Sequence, residues 1–270
     1  MNETADQLRE RLLTRAQTMP EPDSVALIVA RQACGTVNSR AAGILARAGV
    51  GFTFHDGMLE LDDQGMDFAG RSARLHQAAQ VLQREGMVQT WRNEQLEVRA
   101  QPDDPALATI DRCAVRVLGI TTYSVHLNGF LPDGQLLVAL RSARKRVDPG
   151  LWDNLAGGMI SAGESIESAL AREAHEEAGI ELLNMPVTAG SRFQVRRPIG
   201  EGILAEVVHV FDVELPAGVH VQNLDGEVDR FEARRIQDVL AGIELGEFTV
   251  EAALATLDAL QRRGWRPADS

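Results

Sequence analysis

The 270-residue chain predicts an α/β protein, a mixed sheet covered by helices on both sides, preceded by a small α+β accessory domain. Three observations lead there. Strands lengthen after Val117, where helices also stand before and after them. The segment QPDDPALA (101–108), rich in proline and acid, stands just before that change and reads as a linker. The chain then closes on a helix with one continuous apolar face. These features place residues 1–115 in the accessory domain and 116–270 in the larger one.

The elements follow in order. DQLRERLLTRAQ is a helix with Leu8, Leu12 and Leu13 on one face, and SVALIVA is a buried strand. NSRAAGILARAG is a second helix, capped by Asn38 and stopped by Gly49. FTFHDGMLELD reads as a hairpin around Asp56-Gly57. A longer helix runs through SARLHQAAQVLQREG, followed by a strand around VQTWRNEQLEV. In the larger domain, ITTYSVHLNGFL and QLLVALRS flank a turn at Pro132-Asp133-Gly134. A helix lies within GGMISAGESIESALAREAHEEAGI (157–180). Strands at SRFQVRR, AEVVHVFDVEL and VDRFEA come next, then a helix at RIQDVLAGI. The final helix, VEAALATLDALQRRG, takes Thr249 as N-cap and turns Val250, Ala253, Leu254, Leu257 and Leu260 to the core.

Composition narrows the function. With 44% hydrophobic and 24% charged residues the chain has the makings of a real core. No apolar run approaches the roughly 20 residues of a membrane span. The opening segment mixes acids and arginines and lacks the layout of a signal peptide. Cys34 and Cys113 have no paired spacing, so neither a disulfide framework nor a cysteine zinc site is expected, and a cytoplasmic location is. A net charge of −12 argues against nucleic-acid binding, which needs a basic face. It leaves room for a small anionic substrate in a local basic pocket. RSARKRVDPG is the densest basic cluster and holds Lys145, the only lysine among 27 basic residues.

The helix within 157–180 carries five glutamates between positions 164 and 177. Ser165 suits the N-cap and Gly179 the stop, while Ile166, Ala169, Leu170 and Ala174 face the core. Glu173, Glu176 and Glu177 then neighbour one another, and each like-charge pair costs about 0.2–0.5 kcal/mol on an isolated helix. Two of the three also sit in the last turn, against the helix dipole.

The whole frame is Gly158, Glu164, then Arg172-Glu173-Ala174-His175-Glu176-Glu177-Ala178-Gly179-Ile180. It resembles the Nudix box, G-x5-E-x7-R-E-U-x-E-E-x-G-U with U apolar, and matches every fixed position; Ala174 is a small residue at the first U. The resemblance implies a Nudix α/β/α sandwich that hydrolyses an organic diphosphate with Mg²⁺ or Mn²⁺, hard cations that suit carboxylate oxygens. It makes Glu173, Glu176 and Glu177 the metal ligands, with the carbonyl of Gly158, and gives Glu164 and Arg172 the role of holding those carboxylates. Two residues compete as the base that deprotonates water, Glu177 and, in NLDGEVDRF, Glu227. His126, in SVHLNGF, lies on a strand leading toward the site, where both core packing and substrate contact suit it.

The segment RSARKRVDPGLWDNLAGG resembles two branches of the superfamily. Isopentenyl diphosphate isomerase requires a cysteine just after the tryptophan, where this chain has Asn154-Leu155-Ala156. The other branch is related to thiamine pyrophosphokinase and carries a leading domain of unknown function; WRNEQLEV, VFDVELP and NLDGEVDRF are similar to it as well. That resemblance implies conversion of thiamine diphosphate, or damaged analogues, to the monophosphate. Lys145, Arg144 and Arg146 would then bind phosphate, and Trp152 would flank the organic moiety. Nucleotide-type substrates such as ADP-ribose and NADH are the alternative, and a non-catalytic ligand sensor a further one, although sensors often lose box acids that are all present here. Dimers are common in the superfamily, so a homodimer is one expectation.

Overall fold

The structure is a computed structural model and describes residues 5–18, 23–88 and 90–265. Its elements in chain order are α1 (Ala5–Ala16), β1 (Ser24–Val29), β2 (Gln32–Asn38), α2 (Ser39–Arg47), β3 (Phe52–His55), β4 (Met58–Leu61), α3 (Phe68–Arg84), β5 (Gln95–Val98) and β6 (Ala108–Asp111). There follow β7 (Thr122–Phe130), β8 (Leu136–Arg141), β9 (Trp152–Asp153), β10 (Ala156–Met159), α4 (Ile166–Ala178), β11 (Val187–Ile199), β12 (Gly202–Glu214), β13 (Val228–Arg234), α5 (Ile236–Leu245) and α6 (Val250–Arg262).

The first sheet has the order β2-β1-β4-β3, with β1 and β4 parallel, and packs its apolar face on α2 and α3. Asn38 caps α2 by accepting the Ala41 N–H at 2.8 Å. The β1–β2 hairpin has no glycine or asparagine at its turn. Ala30 and Arg31 both adopt positive φ there (51° and 61°), and Asp63 accepts the Ala30 N–H at 2.6 Å. That long-range bond offsets the strain of two left-handed residues. The strand expected around 88–98 is confined to β5, and QPDDPALA is the loop of the β5–β6 hairpin; Leu107 N–H donates to Val98 at 2.8 Å across it.

The second sheet has seven strands on the path β11-β12-β7-β8-β13, with β10 added to β7 and β9 to β8. β7 and β12 run parallel; β10 runs antiparallel to β7, with Val125 opposite Gly158 and His126 opposite Gly157. α4 packs on one face through Ala169, Leu170, Ala174 and Ala178, and α6 on the other. This is an α/β/α sandwich, as the sequence predicts.

α1 departs from the expected partition. Leu8, Leu12 and Ala16 join Leu254, Leu257 and Leu260 in the core of the second sheet, so α1 packs against α6 and β11. α6 is therefore enclosed between the sheet and α1, which is why it is buried beyond its apolar stripe, Thr256 and Asp258 included. No helix of the described residues is long and apolar enough to cross a membrane.

If α1 is part of this core, Leu12→Ala should lower unfolding free energy by about 2–5 kcal/mol. Urea denaturation followed by circular dichroism measures it, and a loss below about 0.5 kcal/mol, as for a surface site, would contradict the packing.

Candidate active site

α4 begins where Ser165 Oγ accepts the Ser168 N–H at 3.1 Å and ends at Gly179, whose φ of 66° only glycine adopts readily. With its apolar residues in the core, the adjacent stripe falls at the sheet margin. Glu173 and Glu177 are 8% and 5% exposed there, while Glu176 stands at the rim. Burying carboxylates costs several kcal/mol each unless they are paired.

Arg172 supplies one set of pairs. Its Nε and Nη2 donate to the two oxygens of Glu164 at 2.9 Å each, Nη1 donates to Glu173 at 2.6 Å and Glu176 at 3.1 Å, and Nη2 also reaches the Met159 carbonyl at 2.9 Å. Glu164 is fixed in turn by the Ser161 N–H at 3.0 Å. Burial would raise Glu164, but Arg172 and that N–H hold it below the usual carboxylate range. Glu173 is raised, because burial outweighs Arg172.

Lys145 supplies the other set. Its ammonium lies 3.2 Å from Glu177 Oε1 and in closer contact with Glu227, while the Gly157 N–H donates to Glu177 Oε2 at 2.9 Å. Burial pushes Glu177 up to about 7, with Lys145 only partly opposing it. Burial acts the same way on Glu227, yet there Lys145 prevails and the carboxyl is lowered. Asp225 completes this group: one oxygen from each of Glu177, Asp225 and Glu227 lies within 4.8 Å of the others, close enough to share a cation.

The residues fit a divalent cation. A Cβ on Gly158 would stand 2.2 Å from Glu173 Oε1, so the carboxylate occupies a cradle that only glycine leaves open. The donors are hard oxygens of one helix and one loop, the set that suits Mg²⁺ or Mn²⁺. The three helix acids are split, however. Arg172 holds Glu173 and Glu176, whereas Glu177 faces the loop acids.

A cavity of about 700 Å³ opens over this cluster and is walled by both sheets' regions, with Arg40, Arg92 and Arg112 on the accessory side. Gly158, Arg172, Glu173, Glu176 and Glu227 line it, as do Lys145, Arg146 and His126; Glu164 and Glu177 sit behind. Two expected residues fall outside. Arg144 is exposed away from the cavity. Trp152 packs in the core with the Arg234 guanidinium 3.8 Å from its ring centre. Its neighbour Asp153 faces the cavity, so strand alternation turns Trp152 to the opposite side. Sequence reasoning missed Arg141, which lines the cavity and binds Asp153 at 2.7 Å, and Asp225. Arg141 stands one helical-like spacing before Lys145 in the basic cluster, and Asp225 two before Glu227, the only hints available. Cys113 also lines the cavity; burial pushes its thiol up to about 11, so it is not a thiolate.

A mixed sheet with a glutamate-rich helix at its margin and a cation-ready carboxylate cluster defines a Nudix-type site. Residues 125–254 match the family model of the NUDIX domain and residues 8–122 that of a domain of unknown function, DUF4743, so the chain carries a Nudix domain behind a DUF4743 domain. It is 30% identical over 216 residues to Nudix hydrolase 20, chloroplastic, of Arabidopsis thaliana, covering 74% of this chain and 55% of the plant protein. The chain thus spans about half the length of that relative. Isopentenyl-diphosphate Delta-isomerase of Kocuria rhizophila is 33% identical over 114 residues, 42% of this chain and 62% of that one. Among solved structures, DR0079 from Deinococcus radiodurans superposes with a TM-score of 0.49 at 25% identity, covering 64% of this chain and all of that one.

Gly158→Ala should force Glu173 aside and weaken divalent-cation binding by about 10–100-fold without unfolding the chain. Mn²⁺ titration followed by electron paramagnetic resonance reads this, and unchanged affinity would show that the cradle plays no part.

Proposed function

We propose that this chain hydrolyses an organic diphosphate with Mg²⁺ or Mn²⁺, by attack of water on phosphorus. The observation that carries this reading is Glu173 seated on the bare Cα of Gly158, within a buried carboxylate cluster that has two cationic clamps of its own. Glu173, Glu176, Glu177 and the Gly158 carbonyl would hold the cation, with Glu227 and Asp225 adjacent. When bound, the cation supplies charge neutralisation of the diphosphate and a lowered pKa of its water.

The protein's own groups do the rest. Arg172, locked on Glu164, keeps Glu173 and Glu176 from splaying apart. Lys145 bridges Glu177 and Glu227, and phosphate oxygens entering the cavity compete for its ammonium. Its transfer to phosphate leaves Glu227 free to accept a proton. Glu227 borders the cavity while Glu177 is enclosed, which favours Glu227 as base and Glu177 as ligand. Arg146 adds positive charge at the rim, and Arg141 orients Asp153.

For substrate, the resemblance of the Arg141–Asn154 segment supports thiamine diphosphate or a damaged analogue, cleaved to the monophosphate in the cytoplasm. ADP-ribose and NADH are the second reading, supported by the roomy arginine-lined wall on the accessory side. Isomerisation of isopentenyl diphosphate is disfavoured: no cysteine follows Trp152, and the Cys113 thiol is held protonated by burial. Retention of every box acid favours catalysis over ligand sensing.

Glu176→Gln should bring Mg²⁺-dependent turnover close to zero with the melting temperature preserved, and Glu227→Gln should lower kcat by about 10²–10⁴-fold. Release of phosphate species from thiamine diphosphate, its oxidised analogues, ADP-ribose and NADH is the assay. Undiminished turnover in Glu176→Gln would sink the assignment; a preference for nucleotides over every thiamine compound would reject the thiamine reading.

A further inference from the structure

The cavity has a second polar end that hydrolysis leaves unused. From β10, β7 is one strand away and β12 two, so β12 lies about 10 Å from Gly158. Ser124 and His126 stand two apart on β7 and share a face. Ser124 Oγ donates to Glu206 Oε1 on β12 at 2.8 Å. Glu206 Oε2 accepts from Arg116 Nη2 at 3.2 Å and from Thr122 Oγ1 at 3.3 Å. Arg116, Ser124, His126 and Glu206 are all buried, and all line the cavity.

One donor and one acceptor in this group await a ligand. Arg116 Nη1 is buried with no hydrogen-bond partner among the described residues, an arrangement that is costly unless an acceptor is supplied. His126 is set by a relay that starts at Asp212, whose carboxylate can only accept. Asn128 Nδ2 donates to it at 3.0 Å, Asn154 Nδ2 donates to Asn128 Oδ1 at 2.7 Å, and Asn154 Oδ1 is left to accept from His126 Nδ1 at 2.8 Å. In the neutral ring the proton is therefore on Nδ1, and Nε2 is an acceptor with no partner among the described residues.

We propose that Arg116, Ser124, His126 and Glu206 form a subsite for the head group of the substrate, and that this head group is an amino-substituted nitrogen heterocycle. Arg116 Nη1 donates to a ring nitrogen or carbonyl. Glu206, Ser124 Oγ and His126 Nε2 provide the acceptors for an exocyclic amine. A hydrocarbon tail offers neither and would leave Arg116 Nη1 without an acceptor, so prenyl diphosphates are rejected. The subsite stands two strand spacings, about 10 Å, from Gly158, and the proposal rests on the diphosphate reading for that anchor. The edge is shared by adenine compounds and by the aminopyrimidine of thiamine diphosphate, and the test separates them.

Calorimetric titration of the full chain with ADP, thiamine diphosphate, isopentenyl diphosphate and methyl diphosphate, each with Ca²⁺, reads the subsite without requiring turnover. At least one amino-heterocyclic ligand should bind about tenfold or more tightly than the isopentenyl and methyl compounds. Arg116→Lys, which keeps the charge beside Glu206 but loses the free N–H, and Glu206→Gln should each cancel about that factor and leave methyl diphosphate unaffected. The amino-heterocyclic ligand that responds identifies the source. Should Glu206→Gln fail to fold, Arg116→Lys and Ser124→Ala carry the comparison. Equal binding of isopentenyl diphosphate, or equal loss for methyl diphosphate, overturns the subsite. The expected binding pattern without Mg²⁺-dependent turnover supports the subsite while removing the hydrolase reading.

Discussion

Burying Glu173 and Glu177 on the sheet side of α4 would cost several kcal/mol for each unpaired charge, and the surrounding architecture meets that cost in two places. Arg172 spans Glu164, Glu173 and Glu176, so a residue eight positions earlier is drawn into the helix's charge balance. Lys145 reaches across from the β8–β9 connection to Glu177 and Glu227. The short strand β10 follows from the same constraint: pairing on β7 brings Gly157 N–H to Glu177 and the bare Cα of Gly158 to Glu173. Removing any one of these partners leaves a buried charge uncompensated. Burial raises the Glu173 and Glu177 carboxyls against the opposing charges of Arg172 and Lys145, and a divalent cation would add to that opposing charge.

The accessory region takes part in that site. Arg92 lies 3.4 Å from Glu227, the Arg146 side chain donates to Thr90 at 3.2 Å, and Arg112 binds Glu94, whose other oxygen accepts from Ser161 in the loop before α4. The loop that carries Glu164 is thus braced from the accessory side. In the opposite direction, α1 crosses to enclose α6. The two regions are interleaved by these contacts, and the cavity between them has walls from both.

Legibility in the sequence followed the range of the interaction involved. α2, α4 and α6 were readable with their caps because Asn38, Ser165 and Thr249 bond three residues ahead. The Asp56-Gly57 turn was readable because its two residues hold positive φ (48° and 73°), which Asp and Gly tolerate. The β1–β2 turn was not, since Ala30 and Arg31 carry no turn signal and rely on Asp63. QPDDPALA looked like a linker because a proline-rich hairpin loop and a linker have the same composition. At the site, spacing on one helix brought Glu173, Glu176 and Glu177 to one stripe, as Glu164 and Arg172 required a longer frame to find. Trp152 lies off the cavity because composition says nothing about which side of a two-residue strand faces it, and Arg144 is exposed in the β8–β9 connection, where a run of basic residues says nothing about which of them turn inward. Arg141, Asp225, Arg116 and Glu206 gain meaning only when four separate segments converge.

Hydrolysis at phosphorus is the claim on which the site's chemistry turns, and the origin of the product oxygen tests it most directly. Incubating the full chain with Mg²⁺ and the organic diphosphates in ¹⁸O-enriched water, followed by mass spectrometry of the products, should place one water-derived oxygen in a phosphate product at each turnover. Products without ¹⁸O, or an isomerised diphosphate that keeps both phosphates, would contradict it.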